Sequence, residues 1–125
     1  MKIINSKNAP SAIGPYSHAV AANGMLYVSG QIPFAPKMMI CVGGGIREQT
    51  KQSLENLKAV ITEAGTSLDK VVKVGVFLKD LKQFNDMNEV YATYFNHHKP
   101  ARTCLEVARL PKDVLIEIEA IVSLT

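Results

Sequence analysis

The sequence predicts an α+β fold in which helices cover one face of a β-sheet. Three observations carry that expectation. Short β-type runs rich in Val, Ile, Phe and Tyr lie toward both ends of the chain, two segments of helical apolar spacing lie between them, and turn residues separate these segments at intervals too short for a linker. With 125 residues, 47% apolar and 20% charged, the chain can bury a real core, and a single domain over 1–125 is expected.

The elements follow in order. Residues 17–22 read as a strand, Asn23-Gly24 as a hairpin turn whose residues tolerate positive φ, and 25–29 as a second strand ended by Gly30. A short third strand is expected at 38–42. Gly43-Gly44-Gly45 lacks the Lys-Ser or Lys-Thr of a phosphate-cradling loop and reads as a flexible lead-in to a helix. Ile46, Leu54, Leu57, Val60, Ile61 and Ala64 recur at helical spacing, and Gly65 stops that helix. Residues 71–79 form a strand rich in Val and ending at Asp80, an N-cap whose Gln83 completes a capping-box pattern. Leu81, Phe84, Met87, Tyr91, Tyr94 and Phe95 mark the buried stripe of the helix that follows. Residues 103–109 and 114–122 form two final strands around Leu110-Pro111-Lys112-Asp113, giving the order β-β-β-α-β-α-β-β.

The last strand places Val114, Ile116, Ile118, Ala120 and Val122 on one side and Leu115, Glu117, Glu119 and Ile121 on the other. Leu and Ile mixed with two carboxylates suggest a partly buried interface, so a homo-oligomer is expected. The net charge is +3, and the lysines are dispersed among acids, which argues against a concentrated nucleic-acid-binding stripe. Neither a secretory signal nor a membrane-length apolar run is visible. Two cysteines, Cys41 and Cys104, are too few for a disulfide framework and read as reduced thiols, consistent with an expected cytoplasmic location.

Several residues are candidates for chemistry. Arg102 follows Lys99-Pro100-Ala101, where proline stiffens the approach to a strand, and its planar fork can grip a carboxylate through two hydrogen bonds. The same arginine could instead pair with Glu117 or Glu119 as an interface salt bridge. Cys104 shares the strand parity of Arg102 and reads as an apolar filler, with no adjacent histidine to activate it. Glu117, flanked by Ile116 and Ile118, could carry a raised pKa suited to proton handling. If Pro111 turned a simple hairpin, Glu106 would face Glu117 and Cys104 would face Glu119. Arg102 would then lie roughly 13 Å along the sheet from the Glu117 partner position, near enough for long side chains to converge on a small substrate.

Gly30, beside Ser29, could let backbone groups approach a ligand; Asn88 borders the second helical stripe; Tyr16 follows Gly14-Pro15 and could overhang a pocket. His97 and His98 are adjacent and point differently, and His18 has no ligand neighbour in a motif, so no metal site is expected.

The ordered set Asn8-Ala9-Pro10, Ile13-Gly14-Pro15-Tyr16-Ser17, Ser29-Gly30-Gln31-Ile32-Pro33, Glu48-Gln49-Thr50, Asn88-Glu89-Val90-Tyr91, Pro100-Ala101-Arg102-Thr103-Cys104 and Leu110-Pro111-Lys112-Asp113, leading to Ile116-Glu117-Ile118-Glu119-Ala120, closely resembles the RidA (YjgF) family, also called the L-PSP endoribonuclease family. The resemblance covers nearly the whole chain. It implies a chorismate-mutase-like α+β fold, a homotrimer with clefts between subunits, and cofactor-free hydrolysis of reactive enamines or imines to 2-oxo acids and ammonia. By motif, Arg102 matches the arginine that grips the substrate carboxylate and Glu117 the acid that orients water or moves a proton, while Tyr16, Ser29, Gly30, Asn88 and Cys104 match cleft positions. Met38-Met39 departs from the usual Thr-Gly and puts the shape of that turn in question. Two alternatives belong to the same resemblance: an endoribonuclease acting on single-stranded RNA, and a non-catalytic small-acid-binding or chaperone-like trimer.

Overall fold

A computed structural model describes residues 1–125. Its strands are β1 (Lys2–Ile4), β2 (Ala19–Ala22), β3 (Met25–Gln31), β4 (Val71–Leu78), β5 (Ala101–Glu106) and β6 (Ile116–Ser123); its helices are α1 (Ile46–Glu63) and α2 (Phe84–Tyr94). All six strands join one mixed sheet in the order β1-β2-β3-β6-β4-β5. Only β4 and β5 pair in parallel, and α2 makes the crossover between them; the other pairs are antiparallel. This is an α+β fold with both helices on one face.

The apolar periodicity of α1 is what fixes it to the sheet. Leu54, Leu57, Val60 and Ile61 are fully buried in one core with Ile116, Ile118 and Val122 of β6 and Met87 of α2. Each such side chain contributes about 2 kcal/mol by leaving water. Polar groups of α1 tie down the ends of the sheet: Gln49 Oε1 accepts from Leu115 N at 2.8 Å, and Asn56 Nδ2 donates to the carbonyls of Ile32 and Phe34, each at 3.0 Å. The alternation expected of the last strand is observed. Ile116, Ile118, Ala120 and Val122 are buried, while Glu117 and Ile121 are half-buried and Glu119 is exposed on the open face.

Three local expectations need correction, and the open question of the Met38-Met39 turn is answered. The segment 38–42 makes no strand, only a single bridge between Phe34 and Cys41, and the third early strand is instead β1, too short to show a period. The turn at Met38-Met39 closes through Ala35 N to Ile40 O at 2.8 Å, with Met39 in the left-handed region at φ 54°. Asp80 Oδ1 accepts from Lys82 N at 2.9 Å, but it caps a 3-10 turn, Leu81–Gln83; α2 starts one residue later, and the buried Gln83 Oε1 has no partner, so the capping box does not form. Finally, β5 and β6 are not a hairpin. Val107 N donates to Leu78 O, keeping β5 on β4, while Leu110 and Val114 turn inward with Phe34 in a small second core. Between them Lys112 and Asp113 take left-handed φ values of 58° and 55°, and β6 re-enters the sheet on the other side of β4.

Candidate active site

The candidate residues form two groups, built by different means. The first surrounds Glu117. Along β3 and β6 the register runs from Val28↔Ala120 to Gln31↔Ile118, so Ser29 and Gly30 together face one residue and make a bulge. Ser29 is held there by its Oγ donating to Ser17 O at 2.7 Å and its N donating to His18 O at 2.9 Å. A Cβ at Gly30 would overlap the Glu117 carboxylate, so the missing side chain seats Glu117. Glu119 lies over Gly75 of β4 in the same manner, its Cγ 3.0 Å from where a Cβ would stand.

A groove of about 540 Å³ opens beside Glu117, lined by Ile13, Tyr16, Ser29, Gly30, Ile32 and Lys112 among others. Burial pushes the Glu117 carboxyl up from its ordinary range, and the neighbouring Glu119 carboxylate adds to the rise. A larger depression of about 630 Å³ runs along α1 past Gln52, Lys58 and Glu63, but it contains none of the candidate residues.

The second group surrounds Arg102 on the edge strand β5. The guanidinium carbon lies 4.6 Å from the ring centroid of Tyr91 and 5.5 Å from that of Phe84, while Nη1 donates to Asn88 Oδ1 at 2.7 Å. Cation–π contacts of this kind contribute about 0.5–2 kcal/mol each and fix the plane of the fork. Arg102 pairs with neither Glu117 nor Glu119, so the salt-bridge alternative does not hold within the chain. Cys104 is half-buried two residues further on; burial pushes its thiol pKa up, with Arg102 opposing, which keeps it protonated rather than nucleophilic.

The two groups do not meet in one chain. Residues paired across neighbouring strands point to the same side of a sheet. Arg102 pairs with Val74, and Val74 with Ala120, all on the helix-covered face; Glu117 pairs with Phe77 on the open face. Val74 and Phe77 are also three positions apart, roughly 10 Å along the strand. The expected convergence along a β5–β6 hairpin is therefore corrected.

Comparison with known proteins gives one answer. A family model described as Endoribonuclease L-PSP matches residues 6–124. A RutC family protein of Pyrococcus horikoshii is 57% identical over 120 residues, covering 96% of this chain and 95% of that protein. A protein of Salmonella typhimurium named 2-iminobutanoate/2-iminopropanoate deaminase is 50% identical over 123 residues, covering 96% and 95%. The crystal structure of a putative endoribonuclease from Thermotoga maritima superposes with a TM-score of 0.96 at 49% identity, over 98% of this chain and 97% of that one. The chain belongs to the RidA/L-PSP family.

Within this RidA-family chain, Tyr16, Ser29, Gly30 and Glu117 come together in one groove, and Arg102, Asn88 and Cys104 in the other group. Sequence reasoning missed Ile13, Ile32 and Lys112 as groove residues and Gly75 as the seat of Glu119. It placed Phe84 and Tyr91 in a buried stripe without the arginine they stack on. The signal for the last was present: an Arg at the start of the strand after a helix with aromatic residues seven apart. No cluster of three or more His, Cys, Asp or Glu side chains comes together in the chain, and no helix is long and apolar enough to cross a membrane.

Proposed function

We propose that this chain hydrolyses small enamine or imine acids, of the 2-aminoacrylate and 2-aminocrotonate type, to 2-oxo acids and ammonia, at sites shared between subunits of a homotrimer. The observation that carries this reading is the Glu117 carboxylate seated over Gly30 in an open groove, with its pKa raised by burial. An ionised carboxylate so placed can take a proton from water as the water oxygen adds to the imine carbon and pass it to nitrogen, giving a carbinolamine; it can then take the hydroxyl proton and give it to nitrogen as the C=O forms, the C–N bond breaks and ammonia leaves. The imine carbon is already electrophilic, so the reading asks for no metal, organic cofactor or covalent enzyme intermediate.

The substrate carboxylate needs a partner that the groove of one chain does not supply in bidentate form. Arg102 has the required fork, and its position on the opposite face calls for a neighbouring subunit to bring it to Glu117. Half-buried Ile121 and exposed Tyr27 on the open face offer apolar surface for such an interface. Asn88 and Cys104 would line the arginine side of the cleft, and Tyr16 and Ser29 the glutamate side. The substrates fit a cytoplasmic setting in which pyridoxal-phosphate dehydratases act on serine or threonine.

The test is a coupled assay in which a dehydratase generates 2-aminoacrylate and pyruvate release is timed. The expected result is faster release in proportion to added protein. Equal rates with and without it would refute the reading.

A further inference from the structure

His18, outside both groups above, is 4% exposed and has three hydrogen bonds to one segment of chain. Ser6 N donates to its Nδ1 at 2.9 Å, its Nε2 meets Pro10 O at 2.7 Å, and its own N donates to Asn5 Oδ1 at 3.0 Å. A backbone N–H can only donate and a carbonyl can only accept, so the partners dictate the ring: Nδ1 is bare and Nε2 carries the proton. The ring thus closes the loop from Pro10 to Ser17, a segment with no helix or strand of its own. That loop carries Ile13 and Tyr16, which wall the Glu117 groove, and Tyr16 Oη accepts from Ile13 N at 3.4 Å within it. The His18 carbonyl also holds the Ser29 amide at the bulge.

We infer that His18 is a positioning residue of the site: through its two ring nitrogens it staples the Pro10–Ser17 loop so that Tyr16 stands beside Glu117, and loss of the staple loosens that wall and weakens ligand binding. A side chain unable to accept at the Nδ1 position would leave the Ser6 N–H a buried donor without a partner.

Only the choice of ligand rests on the proposed function. The probe is 2-oxobutanoate, its dissociation constant read in the wild type, His18→Gln and His18→Leu. A glutamine amide can accept from Ser6 N and donate to Pro10 O. Wild type and His18→Gln should bind alike, and His18→Leu about tenfold more weakly, as expected when a pocket wall must be ordered by the ligand. Hydrogen exchange at the Ser6 amide and the Tyr16 ring resonances, read by NMR in the same proteins, report the staple without any ligand. Protection lost in His18→Leu, but kept in His18→Gln, supports the inference. Equal affinity in wild type and His18→Leu, or a Ser6 amide equally protected in both, would overturn it. Should 2-oxobutanoate bind no form of the protein, the ligand class of the proposed function fails, and the Ser6 and Tyr16 measurements decide the staple by themselves.

Discussion

The Arg102 group and the Glu117 groove differ in how their charged groups are held. Arg102 is clamped by elements of regular structure: two aromatic rings and an amide from α2 fix its plane before any ligand arrives. Glu117 instead sits where atoms are missing, over a glycine in a bulge and against a loop, and the charge that shifts its carboxyl is another carboxylate, Glu119. In the proposed function Arg102 orients an anion, and a cationic fork in that role benefits from rigidity. The proton-handling role proposed for Glu117 benefits from burial and a neighbouring like charge, which raise the energy of its ionised form.

The sharpest way to break this comparison is to separate the halves. Arg102→Lys keeps the charge but loses the fork, and Glu117→Gln loses the titrating group; each is expected to lower imine hydrolysis about a hundredfold or more with the assembly intact. A lysine variant of near-normal turnover would remove the carboxylate clamp and favour a diffuse electrostatic role of the kind RNA binding uses. Mixing the two inactive chains with subunit exchange then tests where the halves meet. If every site takes one half from each of two subunits, random one-to-one mixing restores about a quarter of wild-type activity, since that fraction of sites draws both intact residues. A single-chain site would recover nothing.

Gly30→Ala attacks the groove alone. Its Cβ would displace the flexible end of Glu117 rather than backbone, so the fold should persist while turnover falls about tenfold to a hundredfold. Unchanged kinetics with the carboxylate shown in place by crystallography would mean that the seat over Gly30 is not required.

Glu119→Gln should sharpen the electrostatic side. Glu119 raises the Glu117 pKa by disfavouring a second negative charge, so its removal lets Glu117 ionise at lower pH. Activity that needs ionised Glu117 is lost as pH falls through that pKa, and the acid limb of the pH–rate profile should therefore move to lower pH in the variant. Because burial is the larger cause, it should not return fully to the ordinary carboxylate range. A limb that stays fixed or moves upward would show that Glu117 does not control it.

The smallest effect is expected outside both groups. Met39 holds a left-handed conformation where glycine carries no steric penalty, so Met39→Gly should stabilise the chain by at most about 1 kcal/mol in denaturant unfolding and leave turnover unchanged. A changed rate would couple that turn to the site.

Much of this was legible in the order of residues because it depends on neighbours. The 3.6-residue spacing of Leu54, Leu57 and Ile61 makes a helix bury one face wherever it docks, and the alternation from Ile116 to Val122 separates a core side from a carboxylate side whichever strands lie alongside. Motifs around Arg102 and Glu117 likewise pointed to the RidA/L-PSP family, to which the chain belongs. What the sequence could not set was the partner of each strand. Alternation in β5 is the same whether it pairs with β6 as a hairpin or with β4 in parallel, because period carries no information about pairing. The outcome was decided by Leu110 and Val114 burying themselves with Phe34, by left-handed Lys112 and Asp113, and by α2 carrying the chain back over β4. That choice puts Arg102 and Glu117 on opposite faces of one sheet, a relation that only contacts distant in sequence can create.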